Sequence, residues 1–302
     1  MNIEVHVSVP ASSANLGAGF DVFGLAVGLR DEYLFRPADR DLIEATGKFS
    51  SHVPRDTKRN LAFRAFKSLA PTGTGTYRLK ARREIPPVGG LGGSAAAIVG
   101  GLVAANRAFE LGYDNDELLR RATEIEGHPD NVAAALFGGL VLTVKTNTAL
   151  HSLRVPFPSD IGIVLLVPSY RVSTAKARSI LPSAVKHTDA VANIARAAML
   201  IAALQTMRYD LLAIATEDFL HQPYREILNP ILNPSLAAAR THGAYGAALS
   251  GSGPTIIAFT PPDRTMRIAG AMVDVAVDAD VRCETYVVST SNQGAIYRDS
   301  AS

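Results

Sequence analysis

Apolar and polar residues alternate from the start of the chain. Ile3, Val5, Val7 and Val9 fall on one face and Glu4, His6 and Ser8 on the other, the period of a half-buried strand over residues 3–9, with Pro10 as its end. A stretch of small and polar residues (11–21) follows, and 22–35 reads as further strand and turn. The period changes at Asn60, where Leu61, Phe63, Phe66 and Leu69 recur at helical spacing. A strand over 77–83 is stopped by Pro86-Pro87. A long helix over 94–111 is dense in Ala and Gly, so that another backbone or a ligand can come close. Asn115 or Asp116 caps a helix over 117–125. A strand is expected over 136–144, around Gly138-Gly139, and a buried one over 161–167, ended by Pro168. Helices are expected at 190–207 and 209–220, with a short one at 235–241 behind Asn233-Pro234. A strand pair, 244–250 and 254–259, flanks a Gly-Ser-Gly turn; a helix over 266–277 and a strand over 284–288 close the chain.

Strands and helices interleave without the regular alternation of a doubly wound sheet. The pattern therefore favours α+β layers, with helices against antiparallel or mixed sheets. A length of 302 residues suits two packed domains, and 156–159 is the expected junction.

Composition narrows the function. Hydrophobic residues make up 47% and charged residues 19%, enough for a substantial core. A net charge of +2 is too small to argue for nucleic acid or an anionic membrane as main partner, though local basic groups remain available for a phosphorylated ligand. The lone Cys283 rules out an internal disulfide or a cysteine metal cluster, and it reads as a small core residue. No basic region with an apolar core opens the chain. Its most apolar helical stretch, 191–207, is broken by Asn193, Arg196 and Gln205, so a cytoplasmic protein is expected.

One segment carries chemistry by its form. Gly89-Gly90-Leu91-Gly92-Gly93-Ser94 runs into the helix that continues Ala95-Ala96. Glycine removes side-chain bulk and permits unusual dihedrals, and the first free N–H groups of a helix attract an anion. The turn is not a Walker A loop, since no Gly-Lys-Ser/Thr closes it. Nor is it a dinucleotide fingerprint, since Pro86-Pro87 precedes it. Taken alone, it reads equally as a plain strand-to-helix connection.

Other segments accompany it in order: residues 10–21 (Pro-Ala-Ser-Ser-Ala-Asn-Leu-Gly-Ala-Gly-Phe-Asp), Pro86 to Ala96, Glu126-Gly127-His128-Pro129-Asp130-Asn131, 172–178, 221–225, and Ser250-Gly251-Ser252-Gly253-Pro254-Thr255. Together they resemble the GHMP family of small-molecule kinases, most of all its homoserine-specific members, over nearly the whole chain. The resemblance implies a two-domain α+β fold: residues 1–156 like ribosomal protein S5 domain 2 and carrying the phosphate turn, and 157–302 ferredoxin-like. It implies ATP-dependent phosphorylation of the side-chain hydroxyl of L-homoserine to O-phospho-L-homoserine, a step of threonine biosynthesis, with ATP and Mg²⁺. Homodimers are common in the family.

The resemblance also implies roles. Pro86, Pro87, Val88, Gly89, Gly90, Leu91, Gly92, Gly93, Ser94, Ala95 and Ala96 hold the nucleotide. Asn60 matches a nucleotide-contacting position and equally a helix N-cap. Ser94 and Glu126 hold the metal, with Glu124 a competitor for the latter. Asp21 meets the substrate ammonium, and Arg178 and Arg225 its carboxylate, where a planar guanidinium suits bidentate contact. Asn15, His128 and Asn131 orient the amino acid and its hydroxyl. Asp130 is the acidic candidate for a base, or it caps the helix after it. A loose transition state favours attack without a dedicated base. Gly93 stands where the family loop has a second serine, and Ala18 and Ala134 where prolines are common; these departures leave a neighbouring amino alcohol open as substrate. The rivals are a GHMP kinase for mevalonate, a sugar or shikimate, and a non-catalytic metabolite-binding relative.

Overall fold

The computed structural model describes residues 4–87 and 89–299. Ile3 of the first expected strand and Val88 of the turn lie outside the described residues. The elements are β1 (Val5–Asn15), β2 (Gly19–Pro37), β3 (Leu42–Thr46), α1 (Leu61–Ser68), β4 (Tyr77–Arg82), α2 (Gly93–Ala108), α3 (Asn115–Glu126), α4 (Asp130–Phe137), β5 (Leu140–Lys145), β6 (Leu150–Val155), β7 (Gly162–Pro168), α5 (Thr174–Ser179), α6 (His187–Gln205), α7 (Leu212–Ala215), α8 (Gln222–Arg225), α9 (Leu232–Thr241), β8 (Gly246–Leu249), β9 (Ile256–Thr260), α10 (Thr265–Asp278), β10 (Cys283–Val288) and β11 (Ile296–Asp299).

They form two sheets. In the seven-stranded one, β11-β1-β2-β4-β3 lie side by side and β5, carrying β6, pairs with the other end of the long β2. The four-stranded one runs β10-β7-β9-β8 and is antiparallel throughout. With α10 joining β9 to β10, its order is that of a ferredoxin-like βαββαβ unit, the first crossover being enlarged into α5 to α9. The last strand, β11, leaves this unit and pairs with β1.

Pro10 does not end β1. The pairing with β2 slips between Pro10, opposite Arg30, and Ala11, opposite Val27. A residue without an N–H sits well at such an irregularity, and the strand continues to Asn15. The strand expected over 136–144 starts later, because 136 and 137 complete α4 before Gly138. The cap of α3 is Asp114, whose carboxylate accepts from Glu117 N. The helix expected over 209–220 is short: a 3₁₀ turn and α7 end at Ala215, and the Asp218 carboxylate then takes the N–H groups of Leu220, His221 and Gln222. That break carries His221 and Arg225 toward the seam of the two sheets. The edge strands β3, β6 and β11 have no periodic signal in the sequence.

The small residues of α2 admit another backbone. A side chain at Gly101 would meet Ala62 O of α1 at 2.2 Å, and one at Gly100 the Tyr33 ring at 2.4 Å. Phe35 and Phe66 stack in the same core, with ring centroids 4.3 Å apart. Burying an aromatic side chain contributes roughly 1.5–3 kcal/mol. Among the described residues, no helix is long and apolar enough to cross a membrane.

Candidate active site

The glycine turn interlocks with the connection between β8 and β9. Ser250 Oγ donates to Gly90 O, and Thr255 Oγ1 donates to Gly89 O at 2.8 Å. A Cβ at Gly89 would lie 2.7 Å from Gly253 O, at Gly90 2.5 Å from Ser250 O, and at Gly92 1.9 Å from Ser12 Oγ. These three glycines therefore serve first to let protein backbone approach protein. Gly92, in the left-handed region at φ 61°, turns the chain into α2 and has no side chain to cap it. The first N–H groups of α2, which no helix can satisfy internally, face the cleft along the seam with the positive end of the helix dipole behind them.

Two oxygens border that cleft. Ser94 Oγ donates to Glu126 Oε1 at 2.5 Å. Glu126 is the last residue of α3, and its side chain is turned inward, 11% exposed. Burial pushes its carboxyl above the usual carboxylate range, against the hydrogen bond from Ser94 and the charge of His128. Glu124 points away: its side chain is 61% exposed and paired with Arg120. Among the described residues no cluster of three or more His, Cys, Asp or Glu could hold a metal. The Ser94–Glu126 pair nonetheless suits Mg²⁺, a hard cation that takes oxygen donors, few of them from protein, and keeps several waters.

Asp130 is engaged through one carboxylate oxygen. Its Oδ1 lies 2.8 Å from His128 Nδ1 and accepts from Asn131 N at 2.6 Å and Asn131 Nδ2 at 3.1 Å. Ser12 Oγ donates to Asn131 Oδ1 at 2.9 Å, so Asn131 is fixed from both sides. Burial would lower the His128 pKa, but the hydrogen bond and charge of Asp130, with Glu126, outweigh it and the net shift is upward. The geometry makes Asp130 the holder of two neighbours inside the first turn of α4, the N-cap being Pro129.

The far end of the cleft holds both signs of charge. Asn15 and Asp21, at the turn from β1 into β2, have φ of 72° and 58°. Such conformations are costly for non-glycine residues and cluster at functional sites. Asn15 ties them down: Oδ1 accepts from Asp21 N, and Nδ2 donates to Gly251 O, each at 3.0 Å. Asp21 receives both Nη groups of Arg178, at 2.9 and 2.7 Å. Arg225 is buried. It donates from Nε to Ala177 O and from Nη1 to Gly251 O, with His221 Nδ1 3.1 Å from Nη1. Burial, followed by the nearby Arg178 charge, lowers its pKa to about 10. Both guanidiniums lie over the Phe20 ring, at 5.6 and 5.3 Å, a cation–π arrangement that holds two like charges near one another.

One cleft is thus lined by Asn15, Asp21, Pro86, Pro87, Gly89 to Ser94, Glu126, His128, Asp130, Asn131, Arg178 and Arg225. Ala95 and Ala96 are buried in α2 behind it. Asn60 is not among its lining residues. It is the N-cap of α1, accepting from Phe63 N at 3.0 Å and donating to Pro54 O at 3.0 Å. Sequence reasoning missed Arg83, Phe20, Thr174, Gly251 and Ser252 as lining residues. A basic residue three positions before Pro86, at the end of the strand that leads to the turn, was the available signal for Arg83; Phe20 had none beyond its place in a motif.

This arrangement can seat an anion at a helix N-terminus, a cation between two oxygens, and a zwitterion at an acid–arginine pair, all in one cleft. Those are the parts of a small-molecule kinase, and similarity to known proteins agrees. The families described as GHMP kinases N terminal domain and GHMP kinases C terminal match residues 60–139 and 200–275. A homoserine kinase of Carboxydothermus hydrogenoformans is 41% identical over 297 residues, 97% of this chain and 96% of that protein. One of Synechocystis sp. is 38% identical, covering 96% of each. The crystal structure of homoserine kinase from Cytophaga hutchinsonii superposes with a TM-score of 0.87 at 30% identity, covering 98% of this chain and 97% of that one. A mevalonate kinase structure at 14% identity and TM-score 0.70 shares the fold alone. The chain belongs to the GHMP kinase family, and within it to the group of the homoserine kinases.

Proposed function

We propose that this chain transfers the γ-phosphoryl group of ATP to the side-chain hydroxyl of L-homoserine, giving O-phospho-L-homoserine and ADP. The observation that carries this reading is the Asp21–Arg178 pair in the same cleft as the glycine turn. A substrate zwitterion can exchange one internal ion pair for two: its ammonium takes Asp21 and its carboxylate takes Arg178, so no charge is left unpaired. Arg225 stiffens the base of that site through Gly251 and Ala177.

The triphosphate lies along the turn, on the N–H groups that open α2. Ser94 and Glu126 would hold Mg²⁺, which when bound neutralises charge on the β- and γ-phosphates. His128 and Asn131, both held by Asp130, orient the substrate hydroxyl. Asp130 is a positioning residue, its Oδ1 occupied, and the reading has no dedicated base. Alignment in a closed cleft supplies the rate, as a loose transition state allows. We further divide the chain at 156/157 into an S5-domain-2-like and a ferredoxin-like domain, with β11 returned to the first sheet.

A coupled assay of ADP release over L-homoserine, L-threonine, mevalonate, galactose and shikimate tests the reading. L-Homoserine should give the highest kcat/KM. A higher value for an alcohol without an ammonium would replace it by another kinase of the family, and no release with any would leave a binding protein.

A further inference from the structure

We propose that Arg83 is a phosphate contact of the nucleotide site, its guanidinium occupying the place that a side chain at position 93 would take. The inference rests on the reading of the cleft as a kinase site and adds a residue to it. A Cβ built on Gly93 would lie 2.2 Å from Arg83 Nη2 and 3.1 Å from its Cζ, so the guanidinium sits where that side chain would go. Gly93 is the first residue of α2, so this cation stands at the anion-binding end of the helix.

The rest of the guanidinium is anchored from behind. Nε donates to Ile85 O at 3.1 Å and Nη1 to Gly93 O at 3.3 Å. Nη1 also lies 3.2 Å from Asp31 Oδ2. Asp31, 1% exposed, is itself fixed by the N–H groups of Glu84 and Ile85, each at 2.8 Å. Among the described residues this leaves Nη2 as the part of the fork with no hydrogen-bond acceptor, in a side chain that is 17% exposed and lines the cleft. The other two arginines of the cleft sit together over the Phe20 ring at the Asp21 end, Arg178 paired with Asp21 and Arg225 donating from Nε and Nη1 to backbone carbonyls. Arg83 is therefore the cation placed to meet a phosphate at the turn. It supplies a charged donor in a loop whose only hydroxyl is that of Ser94.

The test is calorimetric binding of ATP and of inorganic tripolyphosphate to the full chain and to Arg83→Gln and Gly93→Ala, with melting curves for each. A hydrogen bond to a charged group contributes about 1.5–3 kcal/mol, so both ligands should bind roughly ten- to a hundredfold more weakly to Arg83→Gln. The KM for homoserine should stay within about twofold, a split that general loosening of the fold would not give. Gly93→Ala, whose methyl displaces Nη2 without removing the charge, should weaken both ligands in the same direction. Unchanged affinities in a folded Arg83→Gln would overturn the inference. Should Arg83→Gln fail to fold, unchanged affinities in Gly93→Ala would do so. Wild-type protein that binds neither ligand would instead overturn the kinase reading itself.

Discussion

Asp21 and Arg178 stand 157 positions apart in sequence and meet as a bidentate pair at 2.9 and 2.7 Å. One sits in the strained turn at the start of β2 in the first sheet, the other on the short helix α5 after β7 of the second. Both side chains line the cleft, so a zwitterion seated there would exchange this pair for contacts of its own.

Asp21→Asn keeps the shape and removes the charge. Losing a charge-assisted bond of about 1.5–3 kcal/mol should raise the KM for homoserine roughly ten- to a hundredfold. The KM for ATP should stay within about twofold. Steady-state kinetics with each substrate varied in turn check this, and an equal rise in both constants would count against the assignment.

Glu126→Gln should lower kcat by about 10²–10³-fold, on the scale of removing one electrostatic stabiliser. The folded pKa of Glu126 is raised, so its ionised form costs stability at neutral pH, and the cost is relieved as pH falls through that pKa. The variant should therefore melt no lower than wild type at pH 7. For the same reason the acid limb of kcat/KM should lie above the pH typical of an exposed glutamate and move downward as Mg²⁺ is raised. An acid limb indifferent to Mg²⁺ would contradict Glu126 as the ligand.

Asp130→Asn should cost less than the roughly 10³-fold typical of a lost acid–base group, because Asp130 Oδ1 holds His128 and Asn131 and the proposed transfer uses no dedicated base. A larger loss, with the basic side of the pH profile unchanged and the acid side removed, would restore Asp130 as the base.

His221 is buried and stacked on Phe20, with ring centroids 5.2 Å apart; its Nε2 lies 2.9 Å from Gly17 O. Burial lowers its pKa to about 4. The unfolded chain thus takes up a proton that the folded one refuses, and stability contributed above the ordinary histidine pKa is lost as pH falls toward 4. The melting temperature should drop between pH 7 and 5, and His221→Gln should flatten that slope. A slope unchanged in the variant would contradict it.

Much of this was legible in the sequence because local rules dominate where one face of an element is buried. The periodicity of α1 follows from spacing alone, and so does the placement of the turn before α2; Asn60 read equally as a nucleotide contact and as a helix cap, and it is the cap of α1. What spacing does not reveal is which partner occupies the room a small residue leaves. Gly89, Gly90 and Gly92 read as space for phosphate, yet the nearest atoms to their missing Cβ are protein backbone or Ser12. Gly93 read as a lost hydroxyl, and a guanidinium from the end of β4 fills the gap. Pro10 read as a stop because the slip in pairing that accommodates it depends on β2. The helix expected through 220 failed because Asp218 competes for backbone N–H groups, a local contest that apolar spacing does not report. The mutual commitment of Asp21 and Arg178 is a long-range fact. Residue type alone left both as free ligands for substrate.

The most direct test of the central claim compares kcat/KM for L-homoserine with that for 4-hydroxybutanoate, which has the same hydroxyl and carboxylate but no ammonium. A site built on Asp21 should prefer homoserine by about ten- to a hundredfold, the worth of one charge-assisted bond, and Asp21→Asn should erase most of that preference. Equal use of the two alcohols by the wild-type chain, or a preference that survives in Asp21→Asn, would contradict an amino-acid kinase built on this pair.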